Sequence, residues 1–396
     1  MSNWQNLAQE YFMNTVVRTP VTLVRGDGAR VWDEEDREYL DFVAGWAVTN
    51  LGHSHPAVTE AVVEQARILI QTSNQFFTIP QVRLAELLVQ NSCLDKVFFG
   101  NSGAEANEGA VKLARRYGRH HRNGAYEVIT AFNSFHGRTL AMVAATAQPR
   151  HQTPYLPLPA GFVNVEYNNI DAIKAATNPQ TCAVMLEPIQ GEGGVNVPDE
   201  GYLKAVRAWC DEKGILLILD EIQTGIGRTG TLFAYEQFGI EPDVMTLAKG
   251  LANGVPIGAI LAKEGASVFV PGEHGSTFGG NLLACAAGYA TLKFVIDNDI
   301  AGNARKMGEY FTAGLVKIKQ KFPVVTDVRG RGLLLAIEFS SDIGADLVTA
   351  CLDGGLLVNR VKPNALRFMP PLIINRQEVD RALSVLEKAL TSVVNK

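Results

Sequence analysis

The chain has 396 residues, 47% hydrophobic, 19% charged and 8% aromatic, with a formal net charge of -5. This composition belongs to a folded globular protein of two domains, or of one large α/β domain with additions, and it excludes disordered, collagenous and disulfide-rich classes. The mildly acidic balance gives no general attraction to nucleic-acid phosphates or anionic lipid, and no apolar run reaches the roughly 18 residues of a membrane span, so small molecules are the expected partners.

Cys93, Cys182, Cys210, Cys285 and Cys351 are odd in number, widely spaced and free of a C-x-x-C. That pattern predicts free thiols in a reducing compartment. The first residues, Met1-Ser2-Asn3-Trp4-Gln5-Asn6, lack a basic segment followed by an apolar stretch, so cytoplasmic residence is expected.

In chain order, residues 21–24 and 29–32 read as two short strands around Arg25-Gly26-Asp27-Gly28. Residues 56–70 and 81–90 carry apolar side chains at helical spacing, and Lys96-Val97-Phe98-Phe99 is a strand ending at Gly100. A helix over 104–116, strands over 126–132 and 181–187, a helix over 202–213 stopped by Gly214, and a strand over 215–220 follow. Strands alternating with helices imply an α/β fold with a mostly parallel central sheet covered on both faces. Beyond about Leu282 the pattern turns to helices over 282–295 and 301–321, a β segment over 328–339 and a final helix, its start marked by Asn375 with Glu378 as a capping box. The expected organisation is a large domain over 56–281 and a smaller α/β domain formed by residues 1–55 and 282–396.

Such sheets bind ligands beyond the carboxyl ends of their strands, where Ser102, Glu187, Asp220 and Lys249 fall. The apolar run Ile215-Leu216-Leu217-Ile218-Leu219 delivers Asp220, and Lys249 follows Asp243-Val244-Met245-Thr246-Leu247-Ala248 29 residues further on. An amine that must form an imine needs a lowered pKa, which desolvation and a nearby cationic ring supply. A carboxylate facing a pyridine nitrogen keeps that nitrogen protonated and able to take up carbanion electrons. Alone, Asp220 could cap a turn and Lys249 could be a solvated loop lysine; together they point to an active site. Gly100-Asn101-Ser102-Gly103-Ala104-Glu105 stands between a strand and a helix, where free N–H groups and the helix dipole suit a phosphate.

Gly225-Ile226-Gly227-Arg228-Thr229-Gly230 matches G-x-G-x-x-G, which would suggest a nicotinamide dehydrogenase. The glycines begin five positions after Asp220, open no strong helix and have no acid-ended strand about 20 residues on, so the dinucleotide fingerprint is rejected. The pairs His53/His55 and His120/His121 lack H-E-x-x-H or a cysteine partner, and no metal is expected.

The run from Asp220-Glu221-Ile222-Gln223-Thr224-Gly225 to Gly230, followed by Leu247-Ala248-Lys249-Gly250, resembles the class-III aminotransferases. The similarity extends from Leu23-Val24-Arg25-Gly26-Asp27-Gly28 to Arg367-Phe368-Met369-Pro370-Pro371. It implies a fold-type-I enzyme using pyridoxal 5'-phosphate, with Lys249 as the imine-forming amine and Asp220 on the ring nitrogen. It further implies that Ser102, Gly103 and Ala104 hold the phosphate, that Phe135 stacks on the ring and that Gln223 reaches the ring hydroxyl. Ser276 is a substrate-binding candidate, and Thr277 is implied to contact the phosphate of a partner subunit, making the active site a property of a homodimer. Two arginines would serve two classes of amino donor. Arg138 is implied to hold the α-carboxylate of N2-acetylornithine or the γ-carboxylate of glutamate, Arg367 to hold glutamate's α-carboxylate, and Glu192 to pair with Arg367 when the ω-amino substrate enters. N2-acetylornithine with 2-oxoglutarate is the expected substrate pair; ornithine, succinylornithine, a lysine-pathway donor and 4-aminobutyrate are the alternatives. Trp46 is a departure, since acetylornithine enzymes place a smaller aliphatic residue there and ornithine enzymes a tyrosine. Leu282 is a second, standing where the family commonly has proline at a helix start.

Overall fold

The computed structural model describes residues 2–395. Near the N-terminus, β1 (Leu23–Asp27), β2 (Arg30–Asp33) and β3 (Glu38–Asp41) form an antiparallel meander, with the expected turn after Asp27.

The central sheet contains β4 (Lys96–Gly100), β5 (Glu127–Ala131), β6 (Phe162–Val165), β7 (Thr181–Leu186), β8 (Leu216–Asp220), β9 (Val244–Leu247) and β10 (Gly258–Ala262), in the order β4-β10-β9-β8-β7-β5-β6. Only β10 runs against its neighbours. Helices cover both faces, which is why the strands read as unbroken apolar runs. Alternate side chains serve two cores: Val184, Leu186, Leu217 and Leu219 enter one, while Met185, Leu216, Ile218 and Val244 enter the other. Each fully buried leucine contributes roughly 1.5–3 kcal/mol. The helix Gly103–His121 packs on the second core through Ala106, Ala110 and Ala114.

β3 and β6 have no counterpart among the expected elements, and two further departures bear on the site. Residues 328–339 form not one segment but a hairpin, β11 (Val325–Arg331) and β12 (Leu334–Phe339), because Gly332 adopts φ +54 against the Thr229 backbone. Strand β10 escaped the sequence pattern. It begins at Gly258, where a Cβ would lie 2.2 Å from the Ser102 carbonyl oxygen, so the edge of the sheet closes directly onto the turn before the helix Gly103–His121.

β13 (Leu356–Leu357), from the C-terminal third, joins β3 in parallel, while β14 (Asn359–Lys362) and β15 (Ala365–Phe368) complete a four-stranded sheet in the order β11-β12-β15-β14. The capping box is present: the Asn375 side chain accepts from Glu378 N, and Glu378 accepts from Asn375 N. Leu282 opens the regular helix Leu282–Asp297, with Asn281 as its N-cap. Among the described residues no helix is long and apolar enough to cross a membrane.

Candidate active site

A cavity of about 590 Å³ opens at the carboxyl ends of the central strands. Strand β8 ends in Asp220 on its floor, and after β9 the chain turns sharply so that Lys249 lines the same space. Lys249 takes φ +41, a left-handed conformation that costs a side-chain-bearing residue roughly 1 kcal/mol or more. Asn50 backs this turn, since a Cβ on Gly250 would fall 2.3 Å from its Nδ2. The half-buried Lys249 amine has no hydrogen-bond partner among the described residues. Burial lowers its pKa; Asp220 opposes that change and Arg367 adds to it.

Asp220 is buried and fully engaged. Its Oδ2 accepts from Asn107 Nδ2 at 2.7 Å and faces His136 Nδ1 at 2.8 Å, and its Oδ1 accepts from Ile222 N at 3.0 Å. Asn107 is fixed in turn by Thr246 Oγ1, which donates to its Oδ1, and by the His136 carbonyl, to which it donates. Burial pulls the His136 pKa down, but the hydrogen bond and charge of Asp220, with Glu187 behind them, outweigh it and the net shift is upward. Asp220 thus favours the protonated form of His136 beneath the cavity. Neither Asn107 nor His136 was singled out by the sequence; only the placement of His136 directly after Phe135 offered a hint.

The next carboxyl along the sheet edge, Glu187, accepts from Phe135 N at 3.1 Å and from Gly191 N at 3.2 Å. Burial pushes its pKa up to about 7, with His136 lowering it and Asp220 raising it.

At the other end of the cavity, Ser102 caps the helix Gly103–His121 by accepting from Glu105 N, and the N–H groups of Gly103 and Ala104 find no acceptor among the described residues. A Cβ on Gly103 would stand 2.8 Å from Ile222 Cδ1, so the helix start lies tight against the residue two beyond Asp220. Unsatisfied first-turn donors at one end, a free amine in the middle and a carboxylate at the other end match the phosphate, aldehyde and ring nitrogen of pyridoxal phosphate. The residues present fit the group.

The two arginines occupy different settings. Arg138 lines the cavity mouth, exposed, with its guanidinium 5.3 Å from the Phe135 ring centre and no carboxylate partner among the described residues. Arg367, on β15, is 1% exposed. It donates to Glu192 Oε2 at 3.0 Å, to Asn359 Oδ1 at 2.7 Å and to Gln223 Oε1 at 3.1 Å. Burial lowers the Arg367 pKa and Glu192 holds it up. With its oxygen on Arg367, Gln223 Nε2 has no acceptor among the described residues and can donate towards the cavity it lines.

Trp46 lines the cavity from a turn in which Ala44, Gly45, Trp46 and Ala47 all have φ between +48 and +66. Buried Asp41 holds this left-handed turn by accepting from Val43 N and Ala44 N, each at 2.9 Å, and it faces His53 Nε2 at 2.8 Å. Ser276 stands beside the cavity, its Oγ accepting from Asn101 Nδ2, while Thr277 is exposed and outside the cavity lining. The Gly225–Gly230 run forms turns, not a helix start, and places Arg228 in the interior.

Residues 11–390 match the family described as aminotransferase class-III. Acetylornithine aminotransferase of Caldanaerobacter subterraneus subsp. tengcongensis is 51% identical over 97% of this chain and 98% of its own length. The protein of that name from Methanocaldococcus jannaschii is 47% identical over 99% and 98%. Among solved structures, ornithine aminotransferase from Toxoplasma gondii superposes with a TM-score of 0.96 at 36% identity, covering 99% of this chain and 95% of that one. Acetylornithine aminotransferase from Elizabethkingia anophelis gives 0.88 at 36% identity, covering 98% of each chain.

Proposed function

Because the chain belongs to the class-III aminotransferases and shares their fold-type-I architecture, we propose that it transfers the ω-amino group of N2-acetylornithine to 2-oxoglutarate, a step of arginine biosynthesis. The observation that carries this reading is the contrast between an unpartnered arginine at the cavity mouth and a buried arginine already paired to a carboxylate. A donor with one carboxylate far from the reacting amine needs only Arg138. Glutamate needs both arginines, and its α-carboxylate would displace Glu192 from Arg367.

Pyridoxal phosphate, when bound, supplies an aldehyde that accepts the amino group and a protonated ring that takes up the electrons released with a C–H proton. Ser102, Gly103 and Ala104 would hold its phosphate, Phe135 its ring face, Gln223 Nε2 its hydroxyl and Asp220 its ring nitrogen. The Lys249 amine, with its pKa lowered by burial, is suited to accept a proton from the substrate carbon and return it. His136 and Asn107 fix the Asp220 carboxylate and leave it no freedom to turn away.

Residues 1–55 and 282–396 are read as one small domain; β13 joining β3 ties the two segments together, while the helix Leu282–Asp297 packs mainly on the large-domain helices Pro56–Ile68 and Ile79–Gln90. A homodimer is proposed from the exposed apolar side chains of Ile68, Phe76, Phe77 and Ile79, together with exposed Thr277, which would meet the partner's phosphate. All five cysteines are free, which supports a reducing, cytoplasmic setting.

The test is the visible spectrum of the protein reconstituted with pyridoxal phosphate, titrated with acetylornithine, ornithine, 4-aminobutyrate and glutamate. A yellow band bleached fastest by acetylornithine and glutamate is expected; no band, or no response to any donor, removes the assignment. One observation favours a second reading. The broad Trp46 ring in the cavity stands where ornithine enzymes carry an aromatic side chain, and a faster response to ornithine than to acetylornithine would select it.

A further inference from the structure

We propose that Glu187 is a positioning residue that seats Glu192 on Arg367 and so sets how the two amino donors share one cavity. The inference rests on the two-donor reading above and adds a residue to it.

Glu187 is 6% exposed, lines the cavity and meets no lysine, arginine or histidine at ion-pair distance among the described residues. Its two oxygens instead bridge two backbone amides from different loops: Phe135 N, on the loop whose ring faces the cofactor space, and Gly191 N, next to Glu192. In its ionised form the Glu187 carboxylate accepts from both amides at once, whereas a glutamine would turn an NH2 against one of them.

Holding the two loops together does not require this carboxyl. Gln190 Nε2 already donates to the Phe132 carbonyl, and Gln190 pairs with Asn196 through the backbone. Among the described residues Glu187 alone accepts from the Phe135 and Gly191 amides, and of the two it is the Gly191 amide that adjoins Glu192. The backbone there has little freedom: a Cβ on Gly191 would lie 1.8 Å from Gln223 Oε1, and one on Gly193 2.3 Å from the Asn133 carbonyl oxygen. A slip at Gly191 therefore moves Glu192 and presses on Gln223, and both of these accept from Arg367. Glu192 competes with glutamate's α-carboxylate for Arg367, so loosening its seat frees the arginine. Glutamate then gains while the ω-amino donor loses the neutralised Arg367 it needs.

The experiment measures single-turnover half-reactions of the reconstituted enzyme with glutamate and with acetylornithine for wild type, E187Q, E192Q and the double variant. Losing one hydrogen bond to a charged group corresponds to about tenfold. The expected result is a rise of about tenfold in the ratio of glutamate to acetylornithine specificity in E187Q. Glutarate, which offers two carboxylates and no amine, should bind E187Q more tightly in calorimetry. Adding E187Q to E192Q should move the ratio no further. If both half-reactions fall together, or if the double variant shifts the ratio again, Glu187 is a structural group only and the proposal fails. Should E187Q not fold, E187D, a methylene too short to span both amides, is expected to shift the ratio in the same direction. A wild-type enzyme inert to both donors would overturn the parent reading; an active wild type with an unchanged E187Q ratio overturns this inference alone.

Discussion

Replacing Glu192 with glutamine tests the two-arginine logic most directly. Arg367 is almost fully buried, and its other partners, Asn359 and Gln223, are neutral. At 3.0 Å the Glu192–Arg367 attraction is roughly 5 kcal/mol for an effective dielectric of about 20. Glu192 is itself about one-third exposed, and Arg150 also approaches it at 3.9 Å, so water and a second cation share its charge. After that screening and the desolvation already sustained, the loss on substitution is about 2 kcal/mol. The free protein should therefore lose a few degrees of Tm, because a buried cation is left without its counter-charge. Glutamate no longer has to displace an anion, so its apparent affinity should rise by up to about 30-fold, while kcat/KM for acetylornithine falls by a similar factor. Thermal unfolding with and without glutarate, combined with the two half-reactions followed in the visible spectrum, reads both effects, and glutarate should restore E192Q more than it stabilises wild type. Equal changes in the two half-reactions, or an unchanged Tm, would refute the reasoning.

K249A should retain the fold, because the amine makes no hydrogen bond among the described residues, yet lose the yellow band on reconstitution together with turnover; retention of either removes Lys249 from its role. D220N should lower turnover by about 10² or more and also destabilise the apoprotein by about 2 kcal/mol, since the Asn107 and His136 bonds lose their charged acceptor; calorimetry and single-turnover rates check the two effects separately. Glu221 supplies a pH prediction. Burial raises its pKa to about 8, although the Ala234 and Tyr235 amides it accepts from pull it down. The folded chain holds that proton more tightly than the unfolded one, so the associated stability is complete below about pH 4.5 and is lost as pH rises through about 8. Urea unfolding of the apoprotein between pH 5 and 9 should show the decline, and E221Q should show a smaller one; an equal decline in both would rule Glu221 out as its source.

Much of the site was legible because it is organised by strand ends. Five apolar residues before Asp220 and a second apolar run before Lys249 are enough to place both at one sheet edge, and the small residues after Gly100 mark a helix start with free amides. The buttress beneath them was not legible. Asn107 and His136 reach Asp220 across 113 and 84 residues of chain, through contacts that no periodicity encodes. Nor could the sequence announce that Ala44, Trp46 and Ala47 adopt left-handed conformations, because local preference argues against them and only the tertiary hold of Asp41 imposes them. The hairpin β11–β12 reads as one segment because its turn lies inside an Arg-Gly-Arg-Gly run, and whether such a run is straight or folded depends on the Thr229 backbone it rests against.

The glycine-rich run after Asp220 hides a guanidinium that is 0% exposed: Arg228 donates to the carbonyls of Leu333 and Pro370 and to the side chain of Asn50. Its acceptors come from near the beginning, the last third and almost the end of the polypeptide. During synthesis this cation lacks its Pro370 acceptor until that residue has left the ribosome, so this part of the interior is completed late. Chains cut short of that residue should remain open and be exposed to proteases.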